Sequence, residues 1–280
     1  MSVFLDTFLP SAAPSAPMAC PRKLIIYGGY KVGKTKLAEW MALHTRTLWL
    51  DCEDGSLYEE GWVSPAGGML INIPARLRQA NAGAPPGKEI GPTGFLFALC
   101  DELAKESPRR FDYVIADKLD TLEEWAVKRA TAYFKQTVIG KNFAGLSVLE
   151  LDKGGGYGYL RDQFNEIWTR LSSAAQRLIL IASLRSSQID KAVSTVSSAE
   201  LDLIGKVRKI AAGDADAVGY LYREPDGANW ISFITDQTER FAGCRNSRIE
   251  GQKFKVSWKR PDGTIECDLR SIYPDIKIIA

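Results

Sequence analysis

The chain has 280 residues, of which 45% are apolar and 25% charged, and its formal net charge is +2. This is ordinary globular composition, able to bury a sizeable core, and so little net charge means that any nucleic-acid contact must come from local clusters. The cysteines Cys20, Cys52, Cys100, Cys244 and Cys267 are scattered without CxxC spacing and His44 is the single histidine, which argues against a disulfide framework, a zinc site or a histidine relay.

Residues 1–22 read as a separate unit. Val3, Phe4, Leu5, Phe8 and Leu9 form a short apolar knot, and a Pro/Ala/Ser tether follows that suits neither a helix nor a central strand. From residue 23 to 280 the chain reads as one domain that opens in a βαβ rhythm. Residues 24–27 are a short apolar run before glycines, the pattern of a buried strand. Residues 34–44 have helical spacing, with Leu37, Trp40 and Met41 on one face. A second strand at 47–50 leads into Asp51-Cys52-Glu53-Asp54-Gly55, and 69–73 suggest a third.

A Gly/Pro-rich loop is expected over 81–92 and an amphipathic helix over 95–105. The apolar strand 113–116 ends on Asp117, and a helix over 122–134 is expected to be capped by Asp120 or Thr121. An irregular, glycine-containing stretch precedes a helix at 159–173 and a very apolar strand at 178–182. Residues 186–198 are polar and Ser-rich. Short strands follow at 217–222, 230–234, 255–258 and 264–269, with Pro261-Asp262-Gly263 as a hairpin turn. The pattern predicts an α/β fold with a mostly parallel central sheet and a C-terminal antiparallel hairpin region.

Gly28-Gly29-Tyr30-Lys31-Val32-Gly33-Lys34-Thr35 satisfies GxxxxGK[ST] between a strand and a helix. Glycines let successive backbone N–H groups and the helix N-terminus face an anion, so this segment is expected to bind ATP. Lys34 would reach the β- and γ-phosphates and the Thr35 hydroxyl would hold Mg²⁺. Asp117, at the end of an apolar strand, fits the second Mg²⁺-side position; a turn or helix-cap aspartate is the plainer alternative. Glu53, just past the second strand, is placed to orient water against the γ-phosphate, or else is a solvated loop acid.

Taken in order, the P-loop, Leu50-Asp51-Cys52-Glu53-Asp54-Gly55 and the run from Tyr113 to Trp125 resemble the RecA/RadA-like ATPases of bacteriophages. More narrowly, they resemble the small single-domain group associated with single-strand annealing recombination. The likeness continues through residues 178–183, 215–221 and 240–246, and so spans most of 23–280. It implies a RecA-like core, DNA-stimulated Mg²⁺-dependent ATP hydrolysis with Glu53 as the water-positioning residue, and rings or filaments with ATP between subunits. Ser183 or Gln188 stands at the γ-phosphate-sensing position. Relatives carry a Lys-x-Arg pair that reaches a neighbour's site; only the arginine remains here, so Arg245 is the candidate trans finger, with Arg240 its rival.

The resemblance also implies two DNA-holding segments. The first, around 137–159, carries Lys141, Lys153, Tyr157 and Tyr159 among glycines; the second, around 185–206, carries Arg185 and Lys191 among serines. Aromatic rings and lysines on flexible backbone suit single-stranded DNA, although ordinary surface loops share that composition. The N-terminal knot would dock on an adjacent subunit. No apolar run approaches the ~18 residues of a membrane span. The N-terminus lacks a basic leader, so a cytoplasmic protein is expected, in the host cytoplasm if phage-encoded. The competing readings are a small-molecule kinase, disfavoured because 186–198 lacks the arginines of a lid, and an ATP-switched DNA-binding protein with little turnover.

Overall fold

In the computed structural model the described residues are 20–54, 61–85, 87–191, 194–235 and 241–278, with the side chains of 186–198 left undescribed. The N-terminal knot and nearly all of its tether, Gly55 and Arg240 lie outside the described residues, as do the side chains of Gln188 and Lys191.

The first half of the chain contains β1 (Lys23–Gly28), α1 (Lys34–His44), β2 (Thr47–Asp51), β3 (Trp62–Val63) and β4 (Met69–Asn72). It continues with α2 (Ile73–Ala80), α3 (Pro92–Lys105), β5 (Tyr113–Asp117) and α4 (Leu119–Gln136). After two 3₁₀ turns come α5 (Gly156–Ala174), the long β6 (Arg177–Lys191), β7 (Ser194–Leu201) and α6 (Gly205–Asp214). The chain closes with β8 (Ala217–Arg223), β9 (Asn229–Ser232), β10 (Gly243–Cys244), β11 (Lys253–Lys259) and β12 (Ile265–Cys267).

These strands form one sheet in the order β12-β11-β9-β8-β1-β6-β5-β2-β4-β3. Its centre is parallel: β1 pairs with β6 and β8, β5 with β6 and β2, and β2 with β4. Parallel strands are covered on both faces, and alternate side chains point to opposite faces. Ile25 and Tyr27 of β1 therefore join Leu48, Leu50, Val114, Ala116, Leu178 and Leu180 beneath α3, α4, α5 and α6. Leu24 and Ile26 face the other way, packing with Trp49, Ile115, Ile179 and Ile181 against Leu37 and Met41 of α1 and the C-terminal Leu269, Ile272 and Tyr273.

Several expectations are corrected here. The stretch 186–198 is not an open polar segment: β6 runs on past the parallel sheet and pairs antiparallel with β7, from Leu184↔Leu201 to Lys191↔Ser194. Serine carries little hydrophobic signal, so cross-strand backbone pairing decided what periodicity did not. The helix after Asp117 starts at Leu119, its backbone boundary set by an extended Lys118, and no described side chain caps it. Asp120 instead accepts from the Ser183 backbone N–H at 3.0 Å, and the Thr121 hydroxyl donates to Glu53 Oε1 at 3.2 Å. Helices α2 and α6 and the edge strand β3 had no counterpart in the sequence pattern. The Pro261-Asp262-Gly263 turn joins β11 to β12 as expected, with Gly263 at φ +88°.

One buried acid ties α4 to the segment after β7. Glu123 is 5% exposed, and its two carboxylate oxygens accept from the Ile204 N–H at 2.8 and 3.1 Å. Burial pushes its carboxyl up to about 7, a rise that the Ile204 N–H opposes and Asp120 and Asp202 reinforce. The folded chain therefore binds more protons than the unfolded one between the ordinary carboxylate value and about 7. The stability from the neutral form is present below that window and is lost as pH rises through it. Glu123→Gln keeps an oxygen for the Ile204 N–H without the charge. It is expected to flatten this slope and to gain roughly 2–3 kcal/mol near pH 8, with little change near pH 4.5. Urea unfolding at the two pH values measures it; equal slopes in both proteins would contradict it.

Candidate nucleotide-binding site

The carboxyl ends of the parallel strands meet on one edge of the sheet. Gly28 of β1 lies opposite Ser183 of β6, and Asp51 of β2 opposite Asp117 of β5. Such an edge, where neighbouring crossovers part, is where open α/β sheets bind ligands. Gly28 cannot carry a side chain here, because a Cβ would sit 2.3 Å from the Leu221 carbonyl oxygen. The chain then turns through Lys31 at φ +58° and Gly33 at φ +94°, and α1 begins at Lys34 with no described side chain capping its first turn. Those uncapped N–H groups are what an anion would use.

The loop is held from outside by a brace that the sequence did not point to. Arg223 of β8 donates to the Lys31 carbonyl at 3.3 Å and to Asn229 Oδ1 at 3.0 Å, and Asn229 in turn donates to Ser257 Oγ at 2.7 Å. Tyr30 projects from the loop, 82% exposed.

Inside the loop, Lys34 Nζ donates to the Gly28 and Gly29 carbonyl oxygens at 2.8 and 2.7 Å. Burial lowers its pKa, while the carboxylates of Asp117, Asp120 and Glu53 work against that shift. The Thr35 hydroxyl donates to Asp117 Oδ2 at 2.9 Å, so the two residues expected to share a metal are already in contact. Asp117 is pushed up to about 6 by burial, opposed by the Thr35 bond and reinforced by Asp51 and Glu53. Several carboxylates gathered at one strand edge make a place where a cation is welcome.

Mg²⁺ fits this donor set. It takes oxygen ligands and is usually held by one or two protein oxygens plus substrate phosphates and water. Thr35 and Asp117 supply two such oxygens. Nucleotide phosphates and water would complete the coordination.

Glu53 follows β2, its backbone N–H donating to Asp51 Oδ1 at 3.1 Å. Its carboxylate is not free: Lys118 Nζ lies 2.8 Å from Oε1, beside the Thr121 hydroxyl, and 3.2 Å from Asp120 Oδ2. Lys118 was not singled out from the sequence, although a lysine directly after the strand-end aspartate was visible there. Ser183 is 3% exposed and its hydroxyl has no hydrogen-bond partner among the described residues.

Arg245 lies elsewhere. It follows β10, where Cys244 pairs with Ala217 at the amino end of β8, while Gly28 lies opposite Leu221. It donates to the Gly213 carbonyl oxygen and stays exposed, remote from the P-loop of its own chain.

A buried strand, a glycine loop, an uncapped helix and a carboxylate two strands away, bridged by Thr35, define a P-loop nucleotide-binding ATPase. The family described as "AAA domain" matches residues 20–248, and the chain belongs to it. The class is thus an AAA-type P-loop ATPase, coarser than the phage recombinase group that the motifs resemble. No curated protein matches the chain. Among the described residues no helix is long and apolar enough to cross a membrane.

The two segments expected to hold DNA are distinct in structure. Lys141 and Lys153 are exposed on the stretch between α4 and α5, where Val138, Ile139 and Leu146 also stand 97%, 85% and 91% exposed. Tyr157 and Tyr159 are on the first turn of α5, not in a loop. The Tyr159 ring packs on Phe134 with centroids 5.2 Å apart, whereas Tyr157 remains 40% exposed. Arg185 is exposed on β6. The two segments meet, since a Cβ built on Gly205 would lie 4.0 Å from Tyr157 Cε1.

Proposed function

We propose that the chain is an ATP-hydrolysing, single-stranded-DNA-binding recombination or annealing ATPase that assembles into homo-oligomers with ATP at the subunit interfaces. For hydrolysis the carrying observation is the Thr35–Asp117 contact beside the P-loop, with Glu53 one strand further along the same edge. Gly28 to Thr35 wrap the phosphates, Lys34 neutralises their charge, and Thr35 and Asp117 hold Mg²⁺. When bound, the metal would offset charge on the transferring phosphoryl group. Glu53 orients the attacking water. Arg245, exposed and remote from its own P-loop, is assigned to a neighbour's site. The N-terminal knot is assigned to linking subunits.

DNA binding is supported by the meeting of the two segments at Tyr157 and Gly205, and by their route back to the ATP site. Glu123, on the helix that follows Asp117, holds the Ile204 N–H directly before Gly205. Lys141, Lys153, Arg185 and Lys191 supply phosphate contacts and Tyr157 a stacking ring, while Tyr159 positions the segment through Phe134.

The test measures phosphate release with and without single-stranded DNA, alongside sedimentation with ATP. DNA should raise the rate and ATP should shift the protein to larger assemblies. Tyr157→Ala should weaken DNA binding by ~1–3 kcal/mol, the range for one stacked base. A rate indifferent to DNA, with no DNA bound at low salt, would leave an ATPase without this substrate.

A further inference from the structure

The ion pair between Lys118 and Glu53 does more than fill a polar edge. We infer that Lys118 is a γ-phosphate-responsive latch: without nucleotide it holds the Glu53 carboxylate, and on ATP binding it transfers to the γ-phosphate and leaves Glu53 free to orient water. This rests on the ATPase reading above and adds to it a residue that distinguishes ATP from ADP.

The observations are geometric. Glu53 Oε1 is occupied by Lys118 Nζ at 2.8 Å and by the Thr121 hydroxyl at 3.2 Å, so one carboxylate oxygen is engaged and its charge is paired. Lys118 sits next in sequence to Asp117, which touches Thr35, so its backbone is anchored beside the metal-side pair. Its ammonium is close enough to Lys34 to act on it electrostatically. The Lys118 side chain is 21% exposed and Glu53 is 39% exposed, so the pair is neither locked in the core nor lost in solvent. A lysine head is a compact charge on a flexible four-carbon stem and can swing between anions without moving the backbone.

Electrostatics supplies the direction of transfer. Lys118 is shared between two carboxylates, 2.8 Å from Glu53 Oε1 and 3.2 Å from Asp120 Oδ2. A γ-phosphate carries more charge and more acceptor oxygens than one carboxylate, so it competes for the ammonium. ADP has no γ-phosphate and leaves the latch closed. Asp120 remains tied to the Ser183 N–H at 3.0 Å, which keeps the helix start in place while Lys118 moves. No bond is made or broken in this step; one charge-assisted contact is exchanged for another.

The test is equilibrium binding of ADP and of the slowly hydrolysed analogue ATPγS, by competition with a fluorescent nucleotide, on the full chain. Lys118→Met should weaken ATPγS about tenfold while leaving ADP within about twofold, and Lys118→Arg should restore the preference. Lys118→Gln serves as a second neutral variant if the methionine protein fails to fold. Glu53→Gln should tighten ATPγS, because the ammonium no longer leaves a partner, and this gain should vanish in Lys118→Met. If the gain persists in the double variant, it is simple removal of a negative charge and the latch is wrong. Equal loss of ADP and ATPγS in Lys118→Met, or loss of neither, overturns it too. If wild-type protein binds no nucleotide at all, the ATPase reading falls first and the latch with it.

Discussion

Lys34→Ala is expected to abolish measurable turnover while the protein stays folded. The Lys34 ammonium rests on the Gly28 and Gly29 carbonyl oxygens, inside the loop that the phosphates would enter. Removing a preorganised positive charge from a site of phosphoryl transfer typically costs a factor of about 10²–10³ or more in rate. The structural cost is smaller. Two hydrogen bonds at the edge of a loop are lost, and the freed carbonyls can take water, so unfolding free energy should change by about 1–2 kcal/mol. Phosphate release and a thermal melt on the same preparation measure both effects. Turnover within tenfold of wild type would place the phosphates somewhere other than this loop.

Glu53→Gln should separate binding from chemistry. The amide keeps the size and one oxygen of the carboxylate but cannot serve as a base, and general-base contributions are worth about 10²–10⁴-fold. Hydrolysis should fall by that amount while nucleotide binding is kept, and ATPγS binding should be tighter than wild type if Lys118 is released from its ion pair. The β2 strand end should be undisturbed, because the Glu53 backbone N–H, not its side chain, bonds Asp51. Loss of ATP affinity equal to that of Lys34→Ala would assign Glu53 to binding rather than to water activation.

The P-loop was legible because its information is local. Its turn requires glycine where the Leu221 carbonyl crowds Gly28 and where Gly33 takes a positive φ, and a buried strand before and a helix after complete the unit. The continuous apolar run of β5 likewise announced a central strand and put Asp117 at its end. Helix and strand existence in the parallel core followed from periodicity, since each face of each strand had to be buried. The β6–β7 hairpin could not be read this way. Its serines mark no face, and only the cross-strand pairing from Leu184↔Leu201 to Lys191↔Ser194 made it a ribbon.

The same distinction runs through the site. Asp120 and Thr121 have the residue types of helix caps, and sequence spacing made that their natural role. Folding brought Ser183 and Glu53 within reach instead, and these long-range partners took the side chains. Tyr159 looked like a twin of Tyr157, yet helix α5 turns one ring onto Phe134 and leaves the other outside. Which carboxylate Lys118 would hold was likewise invisible in the chain order. Residues 53 and 118 become neighbours only because β2 and β5 pair in register, with Asp51 opposite Asp117. Local sequence can encode backbone conformation and burial, but the partner of a charged side chain is chosen by which strand ends the sheet aligns.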